Sequence, residues 1–466
     1  MKRRELLTII PLGFAGYVHA VTTPEIQGMY SPAPSPEDNG PLSIRYTRKV
    51  RDMLRWIRET QAENLLEASH TVARTVTTGG TCWCIWDMGH SATMDVYPGR
   101  NGEPEIFTQG YDRDKSRQGD LLLTNLGEYP PFDDVTAKNI VVIGGPTPWS
   151  GDAKGSEFLL DRIQKMVVRP YAHLWIETNI TTVGAVMSLP GMPAPMGPVS
   201  GVIGMTTYWM ILADACRVLA RDGLSVPVKG DDPPLEGASV PWVSLDAPLM
   251  DDYYDDIIRQ IELIGAELGA VREMARMAVD SVLAGGKVFV YSRYQMGLCI
   301  EASYRRGGML LTRGLYDDGG KVGAAFSDFT GTDKDTVIMG LAKPDDEIDL
   351  KYLDLFRSRK MKVASLGPAT RNFAVPEGRT IPKETDVHAG GMCDTYGLFA
   401  VPGFTRNVCP TSGVLLNQLF WAICMETAEE IMRRTGDTPA VLFSSALKWG
   451  RSHNRSMEAL YARRGY

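Results

Sequence analysis

The sequence carries one arrangement twice, and this limits the possible folds more than any single motif does. Gly79-Gly80 closes a helix-patterned stretch and opens the apolar run Cys82-Trp83-Cys84-Ile85-Trp86. Gly285-Gly286 does the same before Val288-Phe289-Val290-Tyr291. At this offset of 206 residues Asp95 corresponds to Glu301 and Arg100 to Arg306. Further along, Ser200-Gly201-Val202 is echoed by Ser412-Gly413-Val414, Trp209 by Trp421 and Pro227 by Pro439, now at an offset of 212. A drift of that size is what loop insertions leave behind. Self-similarity at this period implies two copies of one domain of about 200 residues.

A chain of 466 residues, 44% hydrophobic and 23% charged, is long enough for two full cores. A net charge of −7 provides no basic stripe for nucleic acid. The seven cysteines sit mostly within apolar runs and read as buried thiols. Cys82 and Cys84 alternate along an expected strand and so share one face. They form no C-x-x-C pair of the kind that supports zinc.

Lys2-Arg3-Arg4, the apolar stretch Ile9 to Tyr17 and the small residues of Val18-His19-Ala20 have the layout of an export signal over residues 1–20. The paired arginines followed by Glu5-Leu6-Leu7 resemble a twin-arginine signal. Export to a periplasmic or extracellular space is the expectation, and a cytoplasmic chain with an irregular N-terminus is the alternative. The stretch is too short to span a bilayer, so no stable membrane span is expected. Residues 21–42, rich in Pro, Ser and Thr, read as a linker.

The periodicity predicts a helix over 43–78, a strand to Trp86, a strand at Ile140–Ile143, a helix over 158–168 and a strand over 172–176. A buried apolar helix is predicted over Val202–Leu219. The second half repeats the order. Helices are predicted from about Tyr254 and over Leu268–Leu283. Strands follow at Val288–Tyr291, Val337–Met339 and Val363–Leu366, with a helix over Tyr352–Arg359 and a closing helix over Val414–Arg434. The expected fold is α/β, two domains at 43–228 and 251–466, each a mainly parallel sheet between helices. The proline-punctuated stretch 229–250 joins them.

Ligands of open parallel sheets bind beyond the carboxyl ends of the strands. That rule selects Gly89-His90-Ser91 and the loop carrying Thr147, Ser150 and Gly151 in the first half. In the second it selects Ser292-Arg293-Tyr294-Gln295 with Glu301, and Leu341 to Asp345. Gly89-His90-Ser91 offers a permissive backbone, a titratable ring and a hydroxyl; a plain capped turn is the alternative. On a helix Glu301 and Arg305 lie four apart and pair, either as a structural ion pair or as a base held ionised. The stretch from Asp386 through His388 to Asp394 places His, Cys and carboxylates in a Gly-rich loop. It reads as a metal site, a substrate-facing loop or ordinary surface. The polar, basic tail 444–454 reads as a flap over a site or as a solvated end.

A helix, Gly-Gly, an apolar strand and then Gly89-His90-Ser91 resemble the SIS (sugar isomerase) domain. Glu301, Arg305 and Gly307-Gly308 resemble the E-x-x-x-R-[AR]-G-G run of bacterial single-domain SIS proteins related to phosphoheptose isomerase. Gly436-Asp437-Thr438-Pro439 through Ser444, then Asn454 and Tyr461, resemble the end of that domain. The resemblance implies two tandem SIS domains that bind a sugar or sugar phosphate without a metal or other cofactor, and a homodimer is among the implied assemblies. As an isomerase, the chain would interconvert aldose and ketose by proton transfer. Glu301 would then be the base and His90 its acid/base partner. Gly89, Ser91, Thr147, Ser150, Gly151, Ser292, Arg305 and His388 would contact substrate. A non-catalytic carbohydrate binder on the same fold is the alternative. The family's phosphate loop reads S-x-S-G-x-T, where this chain has Gly144 to Gly151 in one copy and Leu341-Ala342-Lys343-Pro344-Asp345-Asp346 in the other.

Overall fold

The computed structural model describes residues 40–85, 101–124, 139–144, 173–180, 184–230, 235, 241–293, 296–303, 307–315, 330–370, 375–390, 397–444 and 447–463. The export signal and the helix expected over 158–168 lie outside them, as does most of the 21–42 linker.

The first copy opens with helices α1 (Leu42–Thr60) and α2 (Ala62–Thr77). Five strands follow: β1 (Cys82–Ile85), β2 (Phe107–Gln109), β3 (Leu121–Thr124), β4 (Asn139–Gly144) and β5 (Leu174–Glu177). All pair in parallel, in the order β2-β1-β3-β4-β5. An antiparallel hairpin, β6 (Ala185–Met187) with β7 (Met196–Pro198), leads into α3 (Ser200–Arg221). The single helix expected over 43–78 is broken at Gln61. The Gln61 side-chain oxygen accepts from Glu177 N at 3.1 Å and Asn64 Nδ2 at 3.0 Å, fastening the break to the end of β5.

The second copy repeats this sequence of elements. Helices α4 (Leu249–Glu262) and α5 (Leu268–Leu283) precede β8 (Val288–Tyr291), the short α6 (Met296–Glu301), β9 (Thr312–Leu315) and β10 (Thr336–Gly340). Then come α7 (Glu347–Ser358), β11 (Lys362–Leu366), the short α8 (Ile381–Glu384) and β12 (Val387–Ala389). The sheet order is β9-β8-β10-β11-β12, again parallel throughout and in the same sequence as the first. The hairpin β13 (Gly397–Phe399) with β14 (Val408–Pro410) leads into α9 (Ser412–Thr435), and α10 (Gly450–Arg463) follows. The expected class, two parallel sheets flanked by helices, is therefore found. The short strands β2, β3 and β9 and both hairpins are absent from the sequence reading. Three or four residues carry too little periodicity to register until a partner strand is beside them.

Strands covered on both faces should be apolar without alternation, and β3, β8 and β10 are buried at every residue. Cys82 and Cys84 do share a face and enter the main core, while Trp83 turns to the opposite face against Leu122. Six cysteines are buried free thiols, and Cys393 lies outside the described residues. Burial, ahead of any charge, pushes the Cys82 and Cys299 thiols up to about 12.

The copies share one core. Within each copy the second helix packs on the closing helix, α2 on α3 and α5 on α9. The first helices are exchanged: α1 lies on α9 and α4 lies on α3. Asn417 Nδ2 meets Met205 Sδ at 3.9 Å, and these two residues are equivalent at the 212-residue offset. A local twofold axis thus passes between α3 and α9. The hairpins obey the same symmetry. Gly197 N donates to Gly307 O and Cys409 N to Gly102 O, each at 2.9 Å. Gly197 (φ 77°) and Cys409 (φ 62°) both adopt the left-handed conformation at this equivalent position. Among the described helices, α3 is long and apolar enough to cross a bilayer, but 94% of its apolar window is buried in this core.

Candidate functional site

In a sheet ordered 2-1-3-4-5 the crossovers change direction between the first and third strands, and the crevice there receives ligands. In the second copy this point lies between the ends of β8 and β10. Ser292 sits there, fully buried, but its hydroxyl donates across the crevice to Gly340 O at 2.8 Å. Arg293, the next residue, pairs with Asp346 and also faces Asp349, whose Oδ1 is 3.5 Å from Arg293 Nε. Tyr291 donates its hydroxyl to the same Asp349 oxygen at 2.7 Å. Burial, and after it the Asp346 charge, pushes the Asp349 carboxyl up to about 6. Burial and then the Asp349 charge drive the Tyr291 phenol well above its ordinary value.

The acidic loop explains itself at α7. Asp346 is the N-cap: its Oδ1 accepts from Ile348 N at 2.9 Å and Asp349 N at 3.0 Å. Unsatisfied N–H groups at a helix start attract an anion, and here the chain supplies its own.

Glu301 ends α6 and is 1% exposed. Its Oε2 accepts from Trp421 Nε1 at 3.2 Å. Tyr46 of the first copy lies in the same environment. Its phenol is raised well above normal by burial first, then by the Glu301 charge and then by Cys424. Tyr46 donates to Pro198 O at 2.7 Å, beside the Gly197–Gly307 junction. Glu301 therefore belongs to the junction between copies. The helix expected to carry Glu301 and Arg305 on successive turns stops at Glu301. There Ala302 O accepts from Thr312 Oγ1 at 2.8 Å and Ser303 Oγ from Gly314 N at 2.7 Å, which turns the chain into β9. Arg305 lies outside the described residues, as do Gly89, His90, Ser91, Thr147, Ser150 and Gly151.

His388 is not in a loop. It occupies the middle of β12, paired in register with Ser365 of β11. Its Nδ1 and the Ser365 hydroxyl are 2.9 Å apart, and Ser365 Oγ is 2.8 Å from Thr385 Oγ1. Burial lowers the imidazole to about 4, so the ring is neutral at ordinary pH. Asp386 is also structural, exchanging bonds with Val363 through its carboxylate and its backbone N–H. Among the described residues no three His, Cys, Asp or Glu side chains converge to hold a metal. The tail packs rather than solvates. Asn454 is buried with its side chain bonded to Phe443 N and O, and His453 meets Val441 O at 3.0 Å.

Two acidic residues with large structural roles escaped the sequence reading. Asp214 on α3 takes a bidentate Arg217 pair at 2.6 and 3.0 Å and accepts from Leu249 N, at the start of the exchanged α4. Glu426 on α9 accepts from Ser43 N at 3.0 Å, Ser43 Oγ at 2.5 Å and Arg272 Nε at 2.9 Å, at the start of the exchanged α1. The two lie 212 residues apart, so the repeat offset itself marked them: each is a carboxylate inside a nearly apolar helix.

No protein-family profile matches this chain. A UPF0309 protein of Geobacillus thermodenitrificans (strain NG80-2) is 21% identical over 220 residues, 40% of this chain and 86% of that protein. Among solved structures the chain is similar to the C-terminal domain of glucosamine-fructose-6-phosphate aminotransferase from Francisella tularensis. That match has a TM-score of 0.45 and 9% identity over 87% of this chain and 99% of the other. It is also similar to a candidate phosphosugar isomerase of Clostridium difficile 630, with a TM-score of 0.46 and 11% identity over 86% and 96%.

Proposed function

We propose that this chain is a tandem SIS-type protein that binds a sugar or sugar derivative through the first copy, with the second copy as its structural counterpart. The observation that carries this reading is the occupation of the second crevice, between β8 and β10, by groups of the chain itself. The second crevice is filled by the chain's own groups, Ser292 against Gly340 and Arg293 against Asp346. Ligand recognition then falls to the first copy's loops, where Gly89-His90-Ser91 and Thr147, Ser150 and Gly151 supply donors, acceptors and small backbone. Glu301 favours binding over isomerisation. A general base must reach the proton it takes, and Glu301 is enclosed against Trp421. The N-terminal segment 1–20 adds export to the proposal, and a chain retained in the cytosol with that segment intact would remove this part.

The test is a thermal-shift titration with free sugars, amino sugars and sugar phosphates. A ligand at 100 times its Kd stabilises the native state by about 2.7 kcal/mol. His90→Ala and Ser91→Ala should abolish the shift, and the absence of any stabilising carbohydrate would sink the reading. Every stabilising ligand should also be assayed for aldose–ketose conversion. Turnover that disappears in Glu301→Gln would replace the binding reading with the isomerase one.

A further inference from the structure

We infer that Asp346 is a built-in anion that closes the second crevice, between β8 and β10, to phosphate. The inference rests on the proposed carbohydrate-binding role and specifies which ligands the second crevice rejects. Three features converge at this point. The 12-residue helix α7 begins directly beyond β10, at the topological switch, and its first N–H groups form the kind of site that takes phosphate elsewhere. The Asp346 carboxylate already receives two of those N–H groups. A cation from a separate element, Arg293 at the end of β8, closes on the other oxygen of the same carboxylate. Helix N-terminus and guanidinium are the two partners a phosphate would recruit, and a carboxylate fixed by the chain holds them both.

Below this pair the surroundings are also hostile to added negative charge. Asp349 is fully buried, and its Oδ2 has no hydrogen-bond partner among the described residues. Its Oδ1 is held by Tyr291 and faces Arg293, so the single guanidinium already serves two carboxylates. A dianionic phosphate entering here would meet Asp346 and Asp349, which already share Arg293. Like charges at that range repel strongly in a desolvated site. Asp346 is therefore a specificity-determining residue: removing its charge should free Arg293 and the α7 N–H groups together.

The test uses the full chain and inorganic phosphate. Asp346→Ser keeps a hydroxyl N-cap, so α7 should survive; circular dichroism and melting check this. Calorimetric titration should show phosphate binding in Asp346→Ser that is absent in the parent or at least about tenfold tighter. Adding Arg293→Lys should weaken it again, because the lysine loses the planar fork. In the parent chain, Arg293→Lys should leave any phosphate binding unchanged. Phosphate binding by the parent that falls with Arg293→Lys would overturn the inference, and so would a folded Asp346→Ser that gains nothing. Sugar-driven stabilisation without that gain would refute this inference alone. The gain without any carbohydrate response would refute the functional reading alone.

Discussion

Replacing Asp214 by Asn tests whether the two copies are one folding unit. The carboxylate is fully buried, its Arg217 partner is 5% exposed, and the pair is bidentate. An asparagine keeps the shape, and its oxygen can still accept from Leu249 N and Arg217 Nε, but it removes the second acceptor oxygen and the charge, leaving the buried Arg217 cation without its counter-ion. Breaking one side of a buried pair costs about 3–5 kcal/mol. The readout is the melting temperature by scanning calorimetry. If the copies melt together, an unfolding entropy of roughly 0.9 kcal/mol per kelvin for a chain of this length turns ~4 kcal/mol into a fall of about 4–5 °C in one transition. If each copy melted alone, the entropy would be about half, and one of two transitions would fall by roughly 10 °C while the other stayed. The exchanged helices and shared core predict the first outcome. Replacing the pair together, Asp214→Leu with Arg217→Met, should recover much of the loss, since the buried charge is then gone. A fall under about 1 °C, or movement of one transition out of two, would refute the reasoning.

The remaining expectations are briefer. Asp349 binds its proton more tightly folded than unfolded, so its contribution to stability is present at low pH and is lost as pH rises from about 4 to about 6. His388 behaves oppositely: the unfolded ring protonates below about 6.5, the folded one resists to about 4, and stability is lost as pH falls through that window. The two slopes offset each other in the parent, so urea midpoints between pH 4 and 6.5 should fall with acid in Asp349→Asn and fall with alkali in His388→Asn. Identical profiles in parent and both variants would dismiss both assignments. Gly197→Ala should cost about 1–2 kcal/mol, read from denaturant midpoints. The residue is left-handed, and an added methyl would stand 3.1 Å from Met425 Cε and 3.2 Å from the Tyr46 ring. An unchanged midpoint would show that this junction is looser than its contacts.

The long elements were legible because they obey simple periodicities. The α5 helix and the β8 strand fall where apolar spacing and the Gly-Gly stops place them. His388 was misread because Gly390-Gly391 looks like loop, whereas its strand character comes from pairing with β11. The helix expected to run on past Glu301 stops there for a similar reason. Helical spacing is a local rule, and the bonds that end α6 come from β9, ten and eleven residues on. Ser292 does follow directly on the end of β8, but no local pattern signals that its hydroxyl bonds to a residue 48 positions away.

What the sequence alone determined is the duplication and its α/β class, because repeat offsets and apolar periods are written in the order of residues. What only the tertiary structure decided is how the copies use each other. The exchange of α1 and α4, the carboxylates of Asp214 and Glu426 at their starts, and the filling of the second crevice by Asp346 all depend on contacts between distant segments. The energies that select such contacts, burial of charge and satisfaction of helix-end N–H groups, exist only once the chain has closed around them.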